Sequence, residues 1–493
     1  MRSAGRPGRR DPGLDAARAC AAAATSHLLG LQSPEGWWKG ELETNVSMDA
    51  EDLLLRELLG IADPARIEAA ARWIRRGQRS DGSWSTFYGG PADLSVTVEA
   101  YLALRLAGDD PESPGMVRAA EGVRHAGGIE RARVFTRFWL ALFGLWPWER
   151  LPTLPPEIVL LPARVPLNVY DFACWARQTV VALTVVAAHR PCHELPFGLD
   201  ELRSGLPDPV RASVRSTEGR FAVLDSVLAA HERLRHKPLR SLALRRAERW
   251  ILDRQEADGC WGGIQPPWVY SILALHLLGY TLDHPVMAKA VAGLEGFSIR
   301  EGDEVRLEAC QSPVWDTALA VVALSDAGLP PDHPALRGAG RWLVGEEVRV
   351  KGDWAIRRPH LPPGGWAFEF HNDRYPDVDD TAEVVLALRR TPPGLGATAA
   401  VERALRWVLG MRSRDGGWAA FDADNTSRLV ASLPFCDFGE VTDPPSADVT
   451  AHVVEMLAAL QEGPAPQGAT TPEVPALMAG GVDWLWRSQE VDG

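Results

Sequence analysis

Apolar residues recur at helical spacing in segment after segment of the chain, and the strict alternation of a half-buried strand is scarce. Stretches such as AARWIRRGQ (70–78) and VERALRWVLGM (401–411) lead into a glycine turn that carries a tryptophan. After a short loop another apolar stretch of helical period follows, such as DLSVTVEAYLALRLAG (93–108) or WVYSILALHLLGY (268–280). Helix, glycine turn, tryptophan loop, helix is an αα-hairpin. Gln-x-x-x-Gly-x-Trp recurs at Gln32/Gly36/Trp38, Gln78/Gly82/Trp84 and Gln255/Gly259/Trp261, with copies lacking the glutamine at Gly364/Trp366 and Gly416/Trp418. Another begins at Gln489 and reaches Gly493, where the sequence stops. Repeated hairpins bury their faces against one another, as in a solenoid or closed toroid. The glycine is expected to supply a positive φ, with the Gln and Trp clamping the turn.

Two Pro-rich stretches, residues 143–168 and 348–365, read as loop. The fold class predicted is all-α. That pattern alone serves a prenyltransferase, a glycosidase or a complement-like binding module equally well.

Composition narrows the field. The 493 residues suit two or three domains, and 46% hydrophobic with 24% charged residues describes a folded chain with large cores. A formal charge of −13 argues against a nucleic-acid partner and provides no general attraction to an anionic membrane. Cys20, Cys174, Cys192, Cys260, Cys310 and Cys436 form no CxxC pair, so buried reduced thiols are expected rather than a disulfide framework or zinc site. The basic N-terminus lacks a signal peptide's apolar core, and residues 1–25 read as a disordered lead. The longest uncharged apolar run, Val180 to Ala188, is far short of the ~20 residues of a spanning helix, so any membrane contact is peripheral. Nineteen tryptophans against six tyrosines point to a repeated structural use or an aromatic-lined cavity.

The segment YPDVDDTAEVVLALRR holds the candidate chemistry. Asp377, Asp379 and Asp380 sit just before an amphipathic helix, and Asp380 or Thr381 with Glu383 makes a capping box. Capping leaves Asp377 and Asp379 unaccounted for. The alternative is a Brønsted acid, since crowded carboxyls cannot all ionise cheaply and one keeps its proton. Clustered carboxylates also bind Mg²⁺, but no second such cluster is present, and FDADNTSRLV (421–430) lacks the glycine and distal glutamate of a Ca²⁺ loop. No metal or cofactor is expected.

With DVDDTA and the Gln-Gly-Trp repeats, the segments PLNVYDFACWARQTVVAL (166–183), SPVWDTALAVVAL (312–324), GGWAFEF (364–370) and PFCDFGEVTDPPSADVTAHVVE (434–455) resemble the squalene–hopene cyclases. Oxidosqualene cyclases carry Asp-Cys-Thr-Ala-Glu where this chain has Asp379-Asp380-Thr381-Ala382-Glu383, and class II diterpene cyclases share DxDD but little of the other segments. The resemblance implies two α/α barrels: residues 26–40 plus 301–493 as the catalytic barrel, and 41–300 as an inserted second barrel, with the cavity between them. It implies proton-initiated cyclisation of squalene to hopene or hopanol, without cofactor. Asp379 is the implied acid, supported and reprotonated by Asp377 and Asp380. His452 matches the histidine that hydrogen-bonds the acid; read alone it is a structural histidine, spaced to pair with Asp448. Trp175, Trp315, Phe368, Phe421, Phe435 and Phe438 match cavity-lining positions, and each read singly is ordinary core. The resemblance further implies a homodimer attached to the cytoplasmic face of the membrane, for which RFAVLDSVLAAHERL (220–234) is the local candidate. Members of the family continue past this point, so the chain is expected to be C-terminally truncated, with an incomplete catalytic barrel.

Overall fold

The computed structural model describes residues 12–205, 226, 228–234, 236–433, 436, 440–462 and 474–492. These divide into two compact units, one of Met1–Gly40, Ser312–Ala420 and Pro445–Gly493, the other of Glu41–Gln311 and Phe421–Pro444. The boundary lies after Gln311 rather than at 300, because the hairpin of strands Ser298–Glu301 and Glu304–Leu307 packs on helix Pro64–Arg76. Residues 421–444 also depart from the expected division and join the second unit. Buried polar groups in Phe421–Asn425 find their partners there, in Arg177 and the Phe172 carbonyl.

Each unit is built from helical hairpins. In the first, helices Pro313–Asp326, Val378–Leu388 and Ala447–Gln461 pack side by side as an inner layer, and Pro334–Gly345 and Ala397–Met411 pack outside. The inner helix Val378–Leu388 is buried on nearly every face, whereas Ala397–Met411 buries one stripe. In the second unit, Val46–Leu59, Leu94–Leu106, Val134–Leu142, Cys174–His189 and Gln265–Leu277 are the inner helices. The last packs back against the first and closes the ring. This is the α/α toroid architecture predicted from the repeats. Beyond isolated bridges, the hairpin is the sheet among the described residues.

The repeat works by one set of bonds used again and again. Gln78 Nε2 donates to the carbonyls of Gly82 (3.0 Å) and Gly115 (3.1 Å), and Gln32 and Gln255 make the equivalent pairs. The Trp84 indole donates back to the Ile74 carbonyl at 2.8 Å, while its backbone N–H donates to Thr97 Oγ1 on the next helix. Trp38, Trp366 and Trp418 repeat both bonds. Where the fifth copy lacks glutamine, Arg412 Nε donates to the Gly416 carbonyl at 2.9 Å. Gly82 is required twice over: φ is +88°, and a Cβ there would stand 2.6 Å from Ala119 N.

Residues Pro12–Gly30 form a helix, so the expected disordered lead is helical from Pro12. Its Ala21–Ala24 run has the best helix propensity available, which sustains a helix that buries little. All six cysteines are free, but only Cys174 and Cys260 are buried. Of the membrane candidate 220–234, residues 220–225 and 227 lie outside the described residues, and among those described no helix is long and apolar enough to cross a membrane.

Candidate active site

The hairpin repeat has a chemical consequence in the first unit. The turn tryptophans Trp38, Trp366 and Trp418 each donate a backbone N–H to a threonine in the first turns of an inner helix, Thr317, Thr381 and Thr450, so the clamp fixes those N-terminal ends. Trp315 opens Pro313–Asp326, Asp379 and Asp380 open Val378–Leu388, and His452 stands in the second turn of Ala447–Gln461.

The cap of the central helix is Asp377, not Asp380 or Thr381. Its carboxylate accepts the Asp379 N–H at 2.7 Å. The Thr381 hydroxyl donates to the Asp377 carbonyl and accepts the Trp366 N–H, tying the cap to the preceding turn. The capping-box reading fails because Thr381 serves the tryptophan clamp and Asp380 is driven inward, 1% exposed.

That arrangement sorts the three aspartates. Asp377 has a structural bond. Asp380 is fully enclosed, and its carboxyl lies well above the usual range because burial disfavours the charge and Asp377, Asp379, Glu369 and Glu383 surround it. Asp379 keeps 19% of its side chain exposed, and its Oδ1 lies 2.6 Å from His452 Nδ1. Burial raises the Asp379 carboxyl above its ordinary value, against the opposing pull of His452. Burial by itself would lower His452, but the bond and charge of Asp379, then the charges of Glu383 and Glu455, carry it above the usual imidazole value. The Trp315 ring lies 5.9 Å from the imidazole. The result is a partly buried carboxyl bonded to an imidazole, both pushed above their ordinary values. A protonated imidazole in this position would stabilise a carboxylate at Asp379.

Phe368 lies two residues beyond the clamped Trp366 and is half-buried. In the second unit, Trp175 and Phe421 meet edge to face with centroids 5.9 Å apart. Phe435 and Phe438 lie outside the described residues. Among the described residues no group of three or more His, Cys, Asp or Glu is arranged to hold a metal ion.

Three titratable groups escaped the sequence reading. Glu383, whose Oε1 is 4.0 Å from His452 Nδ1, had been assigned to a cap. Its spacing, one turn beyond Asp379, was the available signal. Glu51 and Glu99 lie on different inner helices of the second unit. Burial is the main reason both carboxyls stand above their ordinary values. No local motif marks either.

Residues 21–303 match the model of the squalene-hopene cyclase N-terminal domain, and residues 311–493 match that of the C-terminal domain. The chain is 48% identical over 438 residues to a squalene–hopene cyclase of Alicyclobacillus acidocaldarius, covering 88% of this chain and 69% of that protein. It is 38% identical to the squalene–hopene cyclase of Bradyrhizobium diazoefficiens, over 96% of this chain and 72% of that one. A dammaradiene synthase of Dryopteris crassirhizoma is also 38% identical, over 94% and 69%.

Proposed function

This chain belongs to the squalene–hopene cyclase family and is a cyclase of triterpene chemistry; from that premise we propose that it closes squalene into a pentacyclic hopanoid, with Asp379 as the Brønsted acid. The observation that carries the acid assignment is the 2.6 Å bond between Asp379 Oδ1 and His452 Nδ1, on a carboxyl that burial pushes above its ordinary value.

The protonated Asp379 carboxyl accepts a hydrogen bond from the imidazolium Nδ1–H on one oxygen and delivers its proton from the other. The proton adds to the less substituted CH carbon of an end alkene, leaving a tertiary cation on the terminal dimethyl carbon. Each following alkene supplies an electron pair to the cation ahead of it, so every closure forms one carbon–carbon bond and moves the charge one unit along. Loss of a proton from the last cation gives hopene; capture of water gives hopanol. Asp380 keeps its own proton, so it adds no negative charge that would hold Asp379's proton back, and it is suited to returning one afterwards. Aromatic faces stabilise the passing cation through their quadrupole without offering a nucleophile. Trp315 and Phe368 are assigned this part in the acid's own unit, and Trp175 and Phe421 in the other.

Squalene dissolves in lipid, so we assign the enzyme to the cytoplasmic surface of the membrane, attached peripherally, as a homodimer. Flotation with liposomes and light scattering in detergent test those two assignments. The reaction itself is tested by incubating detergent-solubilised protein with squalene and resolving products by gas chromatography and mass spectrometry. Pentacyclic hopene or hopanol supports the proposal. A tetracyclic product of dammarane type would keep the acid and overturn the product assignment, and no cyclised product would overturn both.

A further inference from the structure

The second unit contains an ion pair that the reaction as described does not use. Arg177 and Asp422 are 1% and 3% exposed, 245 residues apart in sequence, and bonded to each other. Arg177 also donates to the Phe172 carbonyl through Nε (3.1 Å) and Nη2 (2.8 Å), and its guanidinium lies 5.3 Å from the Tyr170 ring centroid. Asn425 Nδ2 bridges Asp422 (3.1 Å) and the same Phe172 carbonyl (3.2 Å). On the far side, Asp443 Oδ2 accepts the backbone N–H groups of both Phe421 (2.8 Å) and Asp422 (2.6 Å). Its two charged partners stand close in sequence to the aromatic pair. Arg177 lies two residues past Trp175, Asp422 directly follows Phe421, and the Trp175 indole donates to the Glu440 carbonyl at 3.2 Å.

Isolated buried ion pairs rarely add net stability, because desolvation offsets the attraction. An apolar pair of similar volume would hold two segments together at least as well. What the ion pair supplies is direction: a planar guanidinium bonded to a carboxylate and a carbonyl fixes rotation as well as distance. It also cancels its own charge. An uncompensated guanidinium beside an aromatic wall would repel a carbocation passing that wall.

We propose that Arg177 is a positioning residue that, with Asp422, sets the mutual orientation of Trp175 and Phe421 while its own charge stays compensated, so that the cation survives intermediate ring closures. This rests on the cyclase reading above, and it concerns how far the cascade runs rather than how it starts. The double variant Arg177→Gln/Asp422→Asn removes both charges together, which preserves folding where a single unpaired charge endangers it. In the protein as its gene encodes it, the double variant is expected to keep Asp379-dependent turnover within about tenfold while the fraction of prematurely terminated, partly cyclised alkenes rises at least about tenfold. Asp422→Asn alone, which leaves the Arg177 charge exposed to the cation, terminates earlier still, and Arg177→Lys recovers part of the wild-type product ratio. A double variant that melts lower and turns over more slowly with an unchanged product ratio would overturn the proposal, because a merely structural brace behaves that way. A crystal structure of the double variant decides the matter independently of turnover. If wild type makes no product, the cyclase reading falls, and retention of the 5.9 Å edge-to-face pair without the ion pair overturns the positioning role, while its loss supports it.

Discussion

The two units each bury carboxyl groups, and the surroundings of those groups differ. In the first, Asp379 sits at a helix N-terminus with part of its side chain open and an imidazole on one oxygen. In the second, Glu51 and Glu99 project from neighbouring inner helices into the closed interior. Glu99 accepts from the Thr136 hydroxyl, and Glu51 faces Gln265 and Trp139. Desolvation raises the carboxyls in both places. A raised carboxyl retains its proton, but donating it to a base as weak as an alkene requires stabilising the carboxylate that remains. In the proposed reaction His452 does this for Asp379. The glutamates lack an imidazole and are sealed, so theirs is a stored proton.

The sharpest way to break the contrast is Asp379→Asn, which keeps the shape and removes the acid. Turnover of squalene is expected to fall by at least about a thousandfold with an unchanged far-ultraviolet circular dichroism spectrum. Residual activity near wild type would remove Asp379 from its role.

His452→Gln is next, since it keeps a donor but loses the charge. The rate is expected to fall about 10–100-fold. His452 pulls the Asp379 carboxyl down against burial, so in the variant the carboxyl holds its proton to higher pH. The wild-type rate declines as pH rises and the pair deprotonates; in the variant that decline moves to higher pH, beneath a lower maximum. A pH–rate profile with the limb unmoved would show that the two groups do not share a titration.

The second unit makes the converse prediction, in stability. Asp49, Glu51 and Glu99 have folded values above their unfolded ones, with Asp49 pushed up to about 8 mainly by burial. Each is therefore fully tolerated below the unfolded value, and its contribution is lost as pH rises through the folded value. Thermal stability should fall between roughly pH 4 and pH 8. Glu51→Gln, isosteric and uncharged, should flatten that slope and melt above wild type at pH 9, by roughly 2–4 °C for each kcal/mol relieved. Parallel pH curves for the two proteins would show that Glu51 does not titrate in this window.

Thr136→Val is the smallest change, deleting the hydroxyl that donates to Glu99. It should cost about 1 kcal/mol in denaturant unfolding at neutral pH, with activity unaffected.

Some of this was legible in the chain and some was not. The Gln-Gly-Trp turns were, because part of each clamp is close in the chain: the indoles of Trp84 and Trp418 reach a carbonyl ten residues back, at Ile74 and Val408. The acidic cluster was visible for the same reason. Its internal division of labour was not, since Asp377 became the cap and Asp380 the enclosed group only once Thr381 was committed to Trp366. His452 was reachable from the sequence through family resemblance alone; its own spacing pointed to Asp448.

The sequence by itself determined the repeat, the all-α toroids and the presence of a crowded carboxyl cluster. These depend on periodicity and on contacts within a hairpin, where chain connectivity dictates who meets whom. Only the tertiary structure decided which aspartate bears the imidazole, across 73 residues, that Arg177 meets Asp422 across 245, and that two distant glutamates share one dry interior. Such pairings and their pKa values depend on desolvation, and desolvation is a property of the packed helices around a group rather than of its neighbours in the chain.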